Sequence, residues 1–255
     1  YKNEGYKKLG CADFKAYVKD NLTISYDVAL KQVWAAKVAY AINGMDAIGF
    51  YSDNSMLPMK DLSNDQIEEV VEHIEEKHGE EIKKHFDIDV VVPSIPFPRV
   101  PLLEAIEIIK ERGHTVERGG DLDPEGERQI AAWAQETHGH EFVFVTDYPA
   151  TVRPFYHMRH ADNPALTNSY DLIWRGTEIT TGAQREHRLD VLTEQVKQKG
   201  LEPEGLQTYL DFFKYGAPAH GGFGMGLLRV LMLLLHQPNI REVGYLFRGP
   251  NRLEP

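Results

Sequence analysis

Between Phe142 and Arg188 the chain reads FVFVTDYP, then RPFYHMR, then NSYDLIWRGTEITTGAQREHR, and here residue types and spacing suggest chemistry. Asp171 and Glu178 offer hard carboxylate oxygens of the kind that bind Mg2+. Arg175 and Arg185 are planar guanidiniums, able to grip a carboxylate or phosphate through two parallel hydrogen bonds. β-Formers flank all four, and Gly176 and Gly182 break the run. The pattern reads as a strand-built pocket for an anionic substrate and a metal-bound polyphosphate. An internal ion-pair network among the same four residues is the plainer alternative.

A second informative stretch is AHGGFGMGLLRVLMLLLHQPNIREV. Gly222, Gly224 and Gly226 recur at period two, so a strand here has one face bare of side chains, against which a flat ligand or another backbone can lie. The apolar run that follows is expected to be a helix ending before Pro238, with Arg229 in its first turn. A helix start offers free N–H groups to an anion, and Arg229 adds further donors. A packing seam beside a surface arginine explains the same residues without a ligand.

The remaining pattern supplies elements to position these residues. Ser63 and Gln66 form a capping box ahead of Ile67, Val70, Val71 and Ile74, which predicts an acidic helix ending near Gly79. VVVPSIPFPRVP, with Pro93, Pro96, Pro98 and Pro101, predicts an extended connector. Leu102, Ala105, Ile106 and Ile109 make a helical stripe stopped at Gly113, and a short strand is expected around His114 to Val116. Asp123 is placed to cap a helix with Pro124 at its first position, running toward Trp133. Phe142 to Thr146 suits a central strand. Two more helices follow, one from Leu189 with Leu192 and Val196 on a face, the other after Pro203 with Leu206, Tyr209, Leu210 and Phe213.

Composition narrows the class. At 255 residues, 42% hydrophobic and 26% charged, the chain can bury a large core, read here as one domain over 1–255. A net charge of -11 argues against wholesale wrapping of nucleic acid, although a local basic patch is compatible with it. Leu227 to Leu235 is interrupted by Arg229 and is too short to span a bilayer. The lone Cys11 excludes an internal disulfide, and with no apolar leader core a cytoplasmic setting is expected.

Together, FVTDYP, RPFY-M, D-x3-RG-x-EI-x2-GAQR-x-H and HGGFG-x-GLxR closely resemble the catalytic core of aspartyl-tRNA synthetases of the archaeal and eukaryotic type, which are class II synthetases. The resemblance runs from about Pro93 onward. It implies an α+β fold, a mostly antiparallel sheet flanked by helices, that binds L-aspartate and Mg-ATP, forms aspartyl-adenylate and passes aspartate to tRNA. In its terms Glu178 and Asp171 match the metal and ATP carboxylates, with Thr181 touching metal and aspartate. Arg185 matches the reader of the substrate side-chain carboxylate, and His220 and Gly221 line the amino-acid pocket. Gly226, Leu227, Leu228 and Arg229 match the ATP-binding end of motif three, with Arg229 on the terminal phosphate. Glu4 and Lys31 fall at further aspartate-binding places, while Asp147, Tyr148 and Tyr156 are additional pocket candidates.

The departures are equally specific. The arginine strand and loop of motif two are not found between Ile42 and Asn43. Neither the motif-one helix, which builds the family's homodimer, nor the anticodon-binding domain is recognised ahead of Asn3-Glu4-Gly5, so the catalytic domain is expected to be N-terminally incomplete. Leu228 stands where the family has an acidic residue. Three outcomes stay open: part of an aspartate–tRNA ligase, a shortened paralogue activating aspartate for a non-tRNA acceptor, or a non-catalytic ligand-binding homologue.

Overall fold

A computed structural model describes residues 64–116 and 120–244, together with Ala16, Lys19, Phe247 and Gly249. Glu4, Lys31, Ser63 and the junction at Ile42 and Asn43 lie outside the described residues. The chain divides into two compact units, one including 93–226 and the other including 68–92 and 227–255.

The larger unit is built on a five-stranded sheet in the order β1-β2-β3-β4-β5. Its strands are β1 (Arg99–Pro101), β2 (Phe142–Thr146), β3 (Ser169–Trp174), β4 (Thr177–Arg185) and β5 (His220–Met225). Three of the four pairings are antiparallel as expected, but β1 pairs with β2 in parallel. A parallel neighbour needs a crossover. Here it consists of α2 (Leu102–Glu111) and α3 (Pro124–His138). The end of the proline-rich connector is thus recruited as the short strand β1.

Helix α3 begins as its sequence dictates: Asp123 accepts a hydrogen bond from Gly126 N at 2.7 Å, with Pro124 in the first turn. The apolar stripes of α2 and α3, including Leu102, Ala105, Ile109, Ile130 and Ala134, join Val143, Val145, Tyr148 and Ile173 in one buried cluster. Each fully buried aliphatic side chain of this kind contributes roughly 1.5–3 kcal/mol. The strand expected around His114 is absent: these residues form a loop, and His114 instead holds Asp123 at 3.0 Å. Three residues without a neighbouring strand gain too little from pairing to stay extended.

A second buried cluster unites Leu192 and Val196 of α4 (Leu189–Gln198) with Leu210 and Phe213. The predicted helix after Pro203 is split into a 3-10 turn, Pro203–Leu206, and the short α5 (Gln207–Asp211).

β3 and β4 join through a two-residue hairpin, Arg175 at φ 47 and Gly176 at φ 79. Positive φ at both positions makes this the turn whose twist matches the strands. A β-bulge follows at once. Ile173 faces Glu178 and Leu172 faces Thr180, so Ile179 is the extra residue of β4.

α1 spans Asn64–Phe86, belongs to the other unit from Glu68 onward, and runs through Gly79 rather than ending there. Ile82, 2% exposed, continues the stripe of Ile67, Val71 and Ile74, and burial of that turn outweighs the roughly 1 kcal/mol penalty of a mid-helix glycine. The helix α6 (Leu227–Leu234) carries Arg229 as its third residue and ends before Pro238, as the sequence predicts.

Candidate active site

Strand alternation and the bulge bring the predicted residues onto one face of the larger unit's sheet. Asp171 is the cross-strand partner of Thr181, and Ile173 that of Glu178. Arg185 faces His220, and Ala183 faces Gly222. Asp171, Ile173, Glu178, Thr181, Arg185, His220, Gly222 and Gly224 therefore share a face, because cross-strand partners and alternate residues project to the same side. Without the bulge, the three-residue step from Glu178 to Thr181 would send their side chains to opposite sides.

At one end of this face, Asp121, Leu122, Glu127, Tyr148, Arg153, Asp171, Ile173 and Glu178 line a cleft of about 340 Å3, including its open mouth. Arg153, a residue to which the sequence reading gave no role, is its dominant cation. Its Nη2 donates to Asp171 Oδ2 at 2.5 Å, and the two side chains are only 11% and 8% exposed. The guanidinium also lies 3.6 Å from the centre of the Tyr148 ring. Burial opposes the charge on Arg153, yet Asp171 and Tyr148 more than offset it and raise its pKa. Burial pushes Asp121 upward, with Arg153 pulling the other way. Tyr148 is pushed well up, first by burial and then by Asp171.

The electrostatic partners differ from the four-residue network that the sequence allowed. Asp171 pairs with Arg153, while Arg175, in the hairpin, pairs with Glu141 at 2.9 Å. Arg175 is thereby assigned to the turn. The main-chain N–H of Glu178 donates to Glu127 Oε2 at 2.9 Å, which ties the bulge to the first turns of α3.

At the other end of the face stands Arg185. Its guanidinium is 4.9 Å from the centre of the Tyr156 ring, and Nη2 donates to Gly222 O at 3.3 Å. A Cβ at Gly222 would lie 3.3 Å from the same Nη2, so the bare strip predicted for β5 is where this side chain rests. Burial pulls the pKa of Arg185 down, partly countered by Tyr156, Tyr209 and Tyr170. No Asp or Glu among the described residues forms an ion pair with it. His157, paired with Arg185 across a single bridge, is buried and held neutral, its pKa lowered to about 3 by desolvation and then by Arg185 and Arg153. On the opposite face, Gly182 lies under Tyr170, whose ring atoms would be 2.5 Å from any Cβ there.

The other candidates fall as follows. His220 is partly exposed, with Nδ1 2.9 Å from Pro218 O, and Gly221 is buried next to it. Asp147 is engaged by His160 at 3.1 Å and by the Thr146 hydroxyl at 2.7 Å. Tyr148 belongs to the core. Gly226 ends the larger unit, its N–H donating to Ile179 O at 2.8 Å, whereas Leu227, Leu228 and Arg229 open α6 in the other unit.

The donor set suits Mg2+ in one respect. Asp171 Oδ1 is a buried carboxylate oxygen with no hydrogen-bond partner, and Glu178 lines the same cleft. The described residues contain no cluster of three or more acidic, His or Cys side chains able to hold a metal unaided. Mg2+ commonly takes only one or two carboxylates and completes its shell with substrate phosphates and water, so the residues fit a metal that arrives with a polyphosphate. No described helix is long and apolar enough to cross a membrane.

Known proteins resemble this chain in sequence and fold. An aspartate–tRNA(Asp/Asn) ligase of Aeropyrum pernix is 48% identical over 182 residues, 71% of this chain and 41% of the relative. An aspartate–tRNA(Asp) ligase of Pyrococcus furiosus is 43% identical over 179 residues, 70% of this chain and 41% of the relative. The chain thus spans less than half the length of these curated relatives. Among solved structures, an aspartyl-tRNA synthetase from Entamoeba histolytica superposes with a TM-score of 0.70 at 33% identity, covering 75% of this chain and 40% of that one. An asparaginyl-tRNA synthetase from Pyrococcus horikoshii gives 0.65 at 29%, covering 75% and 46%. The family model described as tRNA synthetases class II (D, K and N) matches residues 48–248, and the chain belongs to that family.

Proposed function

We propose that this chain carries the aspartate-activating site of an aspartate–tRNA ligase: it binds L-aspartate and Mg-ATP, forms aspartyl-adenylate and passes the aspartyl group to tRNA in the cytoplasm. The observation that carries this reading is Arg185, a half-buried cation braced by Tyr156 and the Gly222 carbonyl and paired with no carboxylate among the described residues. Such a guanidinium is suited to bidentate capture of the substrate's side-chain carboxylate. The names of the relatives at 40–48% identity support the same substrate.

Thr181 would offer its hydroxyl between Arg185 and the acidic cleft, since it projects from the same face as both. Glu178 and Asp171 would hold Mg2+, and Gly226, Leu227, Leu228 and Arg229 would bind ATP, with Arg229 on its terminal phosphate. Bound Mg2+ would neutralise phosphate charge in the reacting complex. The aspartate α-carboxylate oxygen bonds to the α-phosphorus while the bond to the bridging oxygen breaks and releases pyrophosphate. A terminal ribose hydroxyl of tRNA then takes the aspartyl group, loses its proton and releases AMP. Glu4, Lys31, His220 and Gly221 complete the proposed aspartate contacts, and the family's homodimer is part of the proposal.

Aspartate-dependent exchange of labelled pyrophosphate into ATP tests this function. Replacing Arg185 with Gln removes a charged bidentate contact, worth on the order of 10²-fold in kcat/KM for aspartate. Equal aspartate dependence in the variant, or no exchange in the unmodified chain, overturns it.

A further inference from the structure

The main chain on both sides of Tyr156 is held by a side chain with no assigned role. Gln195 of α4 is buried at 2% exposure. Its amide nitrogen donates to the Phe155 carbonyl at 2.6 Å and to the His157 carbonyl at 3.3 Å, the two main-chain acceptors on either side of Tyr156. β4 holds the segment from its other edge. Met158 N donates to Gln184 O, and Glu186 N donates to Tyr156 O, both at 2.9 Å. The segment 155–158 is therefore clamped between α4 and the end of β4, at the point where the Tyr156 ring meets the Arg185 guanidinium.

An arginine side chain has several free torsions, so its charge alone does not place a planar fork where a small carboxylate needs it. On one side Arg185 rests against Gly222, and on the other the Tyr156 ring limits its sweep. The ring can do so only while its backbone is fixed. Two hydrogen bonds from one buried amide fix it, and deletion of that amide leaves two carbonyls without their donor.

We propose that Gln195 is a positioning residue for carboxylate recognition: by clamping the carbonyls that flank Tyr156, it holds the aromatic ring that aims Arg185 at the substrate side chain. This role rests on Arg185 reading the aspartate carboxylate. Gln195 touches neither substrate nor ATP. It acts through Tyr156.

Gln195→Met keeps the buried volume and removes both donated bonds, and Gln195→Asn keeps the polar group but shortens its reach. With the full chain, amide hydrogen exchange at Met158 and Glu186 reads the segment directly, and calorimetric titration with L-aspartate and separately with Mg-ATP reads the site. In both variants, exchange at these two amides is expected to rise at least about tenfold and aspartate affinity to fall about tenfold, with Mg-ATP affinity changed less than about twofold. Combining Gln195→Met with Tyr156→Leu is expected to weaken aspartate no further than Tyr156→Leu alone. Unchanged protection overturns the clamp. So does lost protection with unchanged aspartate affinity, or equal weakening of both ligands, which marks general loosening. An unmodified chain that binds no aspartate sinks the functional proposal and this role together. One that binds aspartate as tightly as its Gln195 variants sinks this role alone.

Discussion

Replacing Arg153 with Met should destabilise the larger unit by about 3–5 kcal/mol, the usual consequence of removing one member of a buried ion pair. The geometry places this pair in that class: Arg153 and Asp171 meet at 2.5 Å with side chains 11% and 8% exposed. An exposed pair would contribute only about 0–1 kcal/mol. Met replaces most of the aliphatic volume but abandons the stacking on Tyr148, seen at 3.6 Å, and leaves Asp171 as a buried carboxylate without its cation. For a unit of this size the loss corresponds to a fall of roughly 10 °C in Tm. Urea denaturation of Arg153→Met, Asp171→Leu and the double variant forms the decisive cycle. The double variant should recover to within about 1.5 kcal/mol of the unmodified chain, because apolar replacement of both partners strands neither charge of the pair. A loss under about 1 kcal/mol in Arg153→Met, or strictly additive losses in the double variant, would refute the assignment of this pair as a buried anchor.

Two further perturbations address the sheet and its pH response. Gly182→Ala places a Cβ 2.5 Å from the Tyr170 ring, so the ring must move; a destabilisation of about 1–3 kcal/mol is expected by thermal melting, and an unchanged Tm would show that Tyr170 yields freely. His157 resists protonation in the folded chain down to about pH 3, whereas the unfolded chain takes up the proton near 6.5, so falling pH favours unfolding between those values. Stability should drop by up to about 1.4 kcal/mol per pH unit in that window, and His157→Gln should flatten the slope; identical slopes would assign the acid response to other groups.

Much of the scaffold was legible because local chemistry and tertiary packing agree. Asp123 and Pro124 announce the start of α3, and the β-rich run at Phe142 is the central strand it resembles. Gly79 misled because a glycine signals a stop only when no buried stripe continues beyond it, and Ile82 does continue it. The parallel pairing of β1 is not written locally, since it depends on the crossover that returns β2 to its side. Within the site, residue types were readable from spacing and resemblance, but partners were not. Arg153 stood in the quoted RPFY run without a role, and its bond to Asp171 joins a loop to a strand 18 positions away in sequence. Arg175 lies much closer to Asp171 in sequence, yet the turn sends it to Glu141.

The bulge at Ile179 separates two kinds of distance along β4. Between Glu178 and Thr181 the interval is elastic: loss of the extra residue would straighten the strand and still leave both side chains on the same face, because the bulge already absorbs one position out of phase. Between Thr181 and Arg185 the interval is counted. A single insertion or deletion there would turn Arg185 away from Gly222 while leaving the acidic cleft in place. The length change that preserves the site is therefore confined to the hairpin side of Thr181, where the chain can lose the bulged residue without rewriting which groups meet.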